Sequence, residues 1–172
     1  MAADCLPLGP AVRHAVSVPL LSLPTVSVRD SYLAGETADA TANSLPRDWI
    51  DHARQDFPAY VTGKRALNSS DGVPAAEYWF VDGPTYYGSL LLRMRLTSQL
   101  EDVGGHLLTR VMPAYQGHGY EFTMQSQALV ICRAHGLQRV LVQGDATGEG
   151  RWWLDATVAA TGIDVPIDPD SP

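Results

Sequence analysis

The stretch of this chain richest in chemistry runs Gln116-Gly117-His118-Gly119-Tyr120. It lies between an apolar segment, His106 to Met112, and an amphipathic one from about Gly119 to His135. A strand that feeds a glycine-containing loop into a helix N-terminus gathers several unpaired backbone N–H groups, and the helix dipole adds partial positive charge there. Glycine at 117 and 119 lets backbone approach an anion with no Cβ in the way, and His118 offers a further donor. The spacing suits a phosphate or diphosphate. It suits a plain tight turn equally well, and spacing alone leaves both readings open.

Such a turn needs a sheet to hold it, and the flanking pattern predicts one. Pro19 to Val28 reads as a first strand interrupted by Pro24. Asp30 to Asn43 reads as a helix capped by Asp30, with Tyr32, Leu33 and Ala40 on its apolar face. Pro46 to Ala66 is helical in two pieces divided near Pro58, and Asn68 to Pro74 is a turn-rich break. Two strands follow, Glu77 to Val81 and Gly88 to Leu96, joined through Asp82-Gly83-Pro84 as a hairpin. In the second, Leu90, Leu92, Met94 and Leu96 share one face, while Leu91, Arg93 and Arg95 share the other. Thr97 to Asp102 is a polar connection into the third strand, His106 to Met112. The helix after the turn ends at Gly136, and Arg139 to Gln143 is a short buried strand. A last amphipathic stretch, Trp152 to Ala160, is read as a closing helix before an acidic, Pro-rich tail. Strand, turn, helix and strand near the end imply a parallel pair with a crossover helix, and the hairpin makes the sheet mixed.

A length of 172 residues suits one domain, placed at 17–165 between a flexible leader, 1–16, and a tail, 166–172. With 45% hydrophobic and 18% charged residues the composition is that of a folded globular chain. A net charge of -7 argues against nucleic-acid binding, which needs a basic face. No run approaches the roughly 20 apolar residues that span a bilayer. The apolar run Ala15 to Leu23 is short, broken by proline and without the flanks of a signal peptide, so no membrane partner and a cytoplasmic location are expected. Cys5 and Cys132 fit neither a metal spacing nor a disulfide framework, no metal is expected, and Cys132 reads as a buried, inert thiol.

The turn resembles the acyl-CoA signature of the GNAT acetyltransferase superfamily, in which Arg or Gln is followed three residues later by Gly; Gln116 and Gly119 fit. Three further stretches resemble a bacterial GNAT subgroup of acetyltransferases at matching mutual spacing: Gly72-Val73-Pro74 through Tyr78 to Gly83, Leu92 to Leu96, and Val103 to His106. The resemblance covers residues 72–145 well, the first 70 loosely and the tail poorly. It implies an α/β (α+β) fold: a mixed, mostly antiparallel sheet with helices on both faces and a parallel strand–helix–strand unit at its centre. It also implies acetyl-CoA or another acyl-CoA, with the diphosphate on Gln116, Gly117, His118, Gly119 and Tyr120 and the pantetheine arm along the strand ending at Val111 and Met112. The reaction would be direct attack of a small amine on the thioester, which needs a base, oxyanion donors and an acid for the thiolate.

Asp102, Glu101 and His106 are the candidate bases, although a solvated acidic loop and a structural histidine are the plainer readings. Arg93 and Arg95 would orient an acidic acceptor, or form surface salt bridges. Tyr87, with Tyr86, would line its pocket, or pack as a hairpin pair, and Trp152 would bind substrate in a vacated cofactor groove, or pack as an ordinary aromatic. The sequence departs from the family pattern in three places. Glu121 stands where a small residue is expected and is itself a catalytic candidate; Gly148 stands near the usual Asn; and no Tyr follows Trp152-Trp153. The chain also stops soon after Gly162, which would leave the acceptor wall incomplete or supplied by a second subunit in a homodimer. These departures keep two other readings in view, a GNAT-fold enzyme repurposed for CoA-independent tailoring or cyclisation of a small molecule, and a non-catalytic binding module.

Overall fold

A computed structural model describes residues 18–143 and 151–156; the leader 1–16, Gly148 and the tail lie outside the described residues. The first strand is β1 (Leu20–Ser22), after which a turn of 3-10 helix, Val26–Val28, leads into α1 (Arg29–Ala42). The two-piece helix is α2 (Asp48–Gln55) and α3 (Phe57–Arg65). They part at Asp56, whose carboxylate caps Ala59 N–H at 3.0 Å, and Pro58 sits in the first turn of α3, where its missing N–H costs nothing. The turn-rich break contains β2 (Asn68–Ser70), which doubles back on β3 (Val73–Asp82). β4 (Thr85–Arg93) completes the expected hairpin.

The polar connection after β4 is a short helix, α4 (Ser98–Asp102), because Thr97 Oγ1 accepts from Leu100 N–H at 3.3 Å and caps it. Then come β5 (Leu107–Val111), α5 (Tyr120–Ala134), β6 (Arg139–Gln143) and β7 (Arg151–Asp155). The closing stretch is thus a strand where a helix was expected. β6 would otherwise present a bare edge, and β7 covers it antiparallel from Arg139↔Asp155 to Gln143↔Arg151.

The sheet runs β1-β3-β4-β5-β6-β7, with β2 on the far end of β3. Among the described residues only β5 and β6 are parallel. Alternation along the strands builds two cores. Phe80, Leu90, Leu92, Leu107, Val111 and Val140 turn to α5, where Met124, Ala128, Leu129 and Cys132 meet them at helical spacing. Trp79, Tyr86 and Met112 turn the other way, to Val28, Tyr32, Ala53, Phe57 and Val61 of the α1–α3 layer. Tyr32 stacks on Trp79 with ring centroids 4.5 Å apart, and each of these fully buried aromatics contributes about 2–3 kcal/mol by area. A register shift at Phe80/Val81 makes Tyr87 the extra residue of a bulge. The fold is therefore α+β, mostly antiparallel with one parallel pair, and helices cover both faces. Among the described residues no helix is long and apolar enough to cross a membrane.

Candidate functional site

β5 is the strand around which the candidate residues gather. It touches β6 through one register pair, Leu107↔Val142, at its first residue, and runs on to Val111. Met112 N–H bonds to Tyr87 C=O at 2.9 Å and Arg93 N–H to His106 C=O at 2.8 Å, which fixes the phase of the β4–β5 ladder. By antiparallel alternation Thr109 and Val111 then turn their backbone N–H and C=O groups away from β4, to the β6 side.

That edge leads into the glycine turn. Gly117 and Gly119 have φ of 77° and 73°, left-handed values that L side chains adopt at a cost, and a Cβ built on either meets nothing within 4 Å. Their φ values alone account for both glycines, with no described residue crowding them. Gln116 is turned back, its Nε2 donating to Val111 C=O at 3.3 Å. His118 Nδ1–H donates to Tyr115 C=O (3.1 Å) and Gln116 C=O (2.9 Å), and the ring stacks on Tyr120. In that tautomer Nε2 is an acceptor, so His118 donates to an anion only when protonated. Tyr120 opens α5 and packs on Tyr87 and Phe80, with centroids 5.3 and 5.7 Å away. Tyr87 also touches Tyr115 at 4.4 Å, so it belongs to the aromatic support of the turn. Glu121 is exposed in the first turn of α5, where the dipole favours it.

The other candidates read from the sequence lie at the opposite end of β5. Buried Arg93 donates from Nη2 and Nε to Asp71 (2.7 and 3.2 Å) and from Nη1 to Gly105 C=O (3.1 Å), clamping the β2–β3 turn to the glycine pair. A hydrogen bond from Ser70 and then this guanidinium hold the Asp71 carboxyl below its usual range. His106 is buried, and its Nδ1 accepts Leu141 N–H at 3.0 Å, which leaves Nε2 carrying the proton in the neutral ring. Burial lowers the His106 pKa from 6.5 to about 4. Glu101 and Asp102 are exposed on α4, and Arg95 is exposed beyond the end of β4. Trp152 pairs in register with Val142 in β7.

A cluster that sequence reasoning missed occupies the α1 face of the same strand. Tyr32, Glu36, Asp39 and Ala40 repeat at helical spacing along α1 and are all buried. Glu36 Oε1 accepts from Tyr86 O–H at 2.9 Å, and Oε2 accepts from Trp49 Nε1–H at 3.0 Å and from Arg110 Nη2. Arg110 Nε lies 3.3 Å from Asp39 Oδ2 but off the N–H line, so that contact is electrostatic rather than a hydrogen bond. Burial works against the Arg110 charge, yet Glu36, Tyr86 and Asp39 outweigh it and raise its pKa. Tyr86 is held neutral, its pKa pushed well up by burial and by Glu36.

Beside this cluster is a pocket of about 370 Å³, within the range of small-molecule sites. Its floor is one row across the sheet, Glu77↔Leu91↔Leu108, and the next row brings in Ser89↔Arg110. Tyr32, Glu36 and Trp49 wall it from the helices, with Lys64 above Glu77 at 2.7 Å. Burial works to lower the Lys64 pKa, but Glu77 and Tyr60 together leave it raised. None of the site residues expected from the sequence lines this pocket. Protein-family models, curated proteins and solved structures each gave no match to the chain.

Proposed function

We propose that the chain is a GNAT-type, acyl-CoA-dependent N-acyltransferase with its amine acceptor in the pocket beside Arg110. The observation that carries this reading is the course of β5. Past its one pair with β6 among the described residues, Thr109 offers its N–H and C=O sideways and Val111 its N–H, Val111 C=O being taken by Gln116. The strand then delivers a left-handed glycine turn at the start of a 15-residue helix. An amide-bearing pantetheine arm pairs with such an edge as a further strand would, and a diphosphate fits N–H groups of Gly117 to Tyr120.

Acyl-CoA supplies an activated thioester: the acceptor nitrogen forms a C–N bond to its carbonyl carbon, the C–S bond breaks, and amide and CoA thiol leave. The chain's part is to orient the amine, offer β5 N–H groups to the oxyanion and take up the amine's proton. His106 is not the proposed proton acceptor, since its Nδ1 lone pair is committed to Leu141 N–H; Glu77, a carboxylate that lines the pocket, takes that part. One observation favours a CoA-independent use of the fold, the Glu121 carboxylate beside the turn.

Calorimetric titration of the full chain with acetyl-CoA and with CoA tests the proposal. Binding is expected at millimolar ligand or below, and Glu121→Ala should tighten it several-fold by removing a like charge. No heat from either ligand at millimolar concentration in both proteins would refute the transferase reading.

A further inference from the structure

Arg110 is held at its side edge only. Nε and Nη2 face Asp39 and Glu36, while Nη1 has no hydrogen bond or ion pair among the described residues, and the side chain is 40% exposed where it lines the pocket. The end of the guanidinium fork therefore lacks an acceptor, and a carboxylate is the group whose geometry matches it.

Charge narrows the ligand further. Glu36 and Glu77 line the pocket against Lys64 and Arg110, and Asp39, buried behind Arg110 and outside the lining, leaves the cluster one negative charge in excess. A plain carboxylate would enlarge that excess, whereas a plain amine would leave the Arg110 fork unmatched. A zwitterion answers both conditions. Leu91, Leu108 and Trp49 offer apolar surface for the rest of the molecule, and the volume admits a side chain of ordinary size.

We propose that the pocket binds a free α-amino acid of apolar side chain, its carboxylate on the end of Arg110 and its ammonium facing the lining carboxylates Glu36 and Glu77. As the acceptor of an acyl group this ligand rests on the transferase reading above; as a bound ligand it does not.

The test uses the full chain without CoA. L-Leucine and L-phenylalanine are titrated by calorimetry against 3-methylbutylamine and 4-methylpentanoate, which each keep one charge of leucine. Leucine should bind at least about tenfold tighter than either analogue. Arg110→Lys keeps the charge but loses the fork, and should weaken leucine by about tenfold or more. Because Arg110 also holds two buried carboxylates, a second variant is needed. Leu108 is 49% exposed on the pocket floor, so Leu108→Trp fills the space without touching the charges. It should abolish leucine binding with its melting temperature unchanged. Equal affinity for the amine or the acid, leucine binding that survives Leu108→Trp, or no binding of either amino acid up to about 10 mM would each overturn the proposal. Failure here removes the amino-acid pocket and leaves the CoA titration to decide the transferase.

Discussion

His106 offers a direct check on the physical reasoning, because its pKa is displaced to one side and its hydrogen bond is of one kind. In the folded chain the ring is neutral down to about pH 4, while in the unfolded chain it titrates near 6.5. The folded value is depressed, so below pH 6.5 the unfolded chain takes up a proton that the folded chain refuses. The stabilising contribution is complete above 6.5 and is lost as pH falls toward 4. Lowering pH from 7.5 to 5.0 should remove between about 1 and 2 kcal/mol through this residue, the lower figure allowing for partial hydration of the ring. His106→Asn is the matched control. An Asn Oδ1 sits near the position of Nδ1 and still accepts Leu141 N–H, but it does not titrate. The variant also gives up the edge contact with Trp153, centroids 6.0 Å apart, at a cost of about 1 kcal/mol that is independent of pH. Urea unfolding of both proteins at the two pH values measures the difference; other groups titrate in both and cancel. The wild-type midpoint should fall by about 0.5–1 M more than that of the variant. An equal fall would show that His106 is hydrated or already charged, and would reopen it as a base.

Glu36→Gln should cost about 3 kcal/mol, since it leaves Asp39 as the one carboxylate facing Arg110 and sets an amide N–H₂ among the donors Trp49, Tyr86 and Arg110. For a chain of this size that is a fall of about 6–12 °C in a calorimetric melt. Gly88→Ala should be worse, because its Cβ would lie 2.1 Å from Arg110 C=O, a backbone atom that cannot yield without breaking the β4–β5 ladder. A loss above about 3 kcal/mol, or failure to fold, is expected by circular dichroism. Gly63→Ala, with nothing within 4 Å on α3, is the control and should stabilise by up to about 1 kcal/mol.

The helix α5 and strands β3 to β6 were legible because each carries its period openly: Met124, Ala128 and Ile131 at helical spacing, Leu90 and Leu92 in alternation. Trp152 to Asp155 was misread because a short apolar run has no period of its own, and pairing with β6 decided it. Glu36 and Asp39 left a trace that could have been followed. They share the helical face of Tyr32 and Ala40, and acids on an apolar face need partners. Leu108 and Arg110 alternate against Leu107, Thr109 and Val111, which hinted at a strand with both faces in use. Lys64 and Glu77 left none, because only the packing of α3 over β3 joins them.

The charged face of β5 is hard to explain as a device for stability. Burying a carboxylate such as Glu36 carries a desolvation cost that its ion pair barely repays, and apolar residues of similar size would hold a helix to a sheet as well. What the cluster does achieve is placement. Donors from α2, β4 and β5 converge on Glu36, and Gly35 sets α1 against Met112, where a Cβ would lie 3.0 Å from the methionine Cγ. Arg110 is thereby fixed with one end of its fork toward the pocket. It stands between Thr109 and Val111, whose backbone groups turn to the β6 side. A ligand on the Arg110 side chain and an extended chain along the Thr109–Val111 edge would therefore meet the same short strand, one over its α1 face and the other at its β6 side. That proximity is what a transfer between two bound molecules requires, and neither the glycine turn nor the pocket supplies it alone.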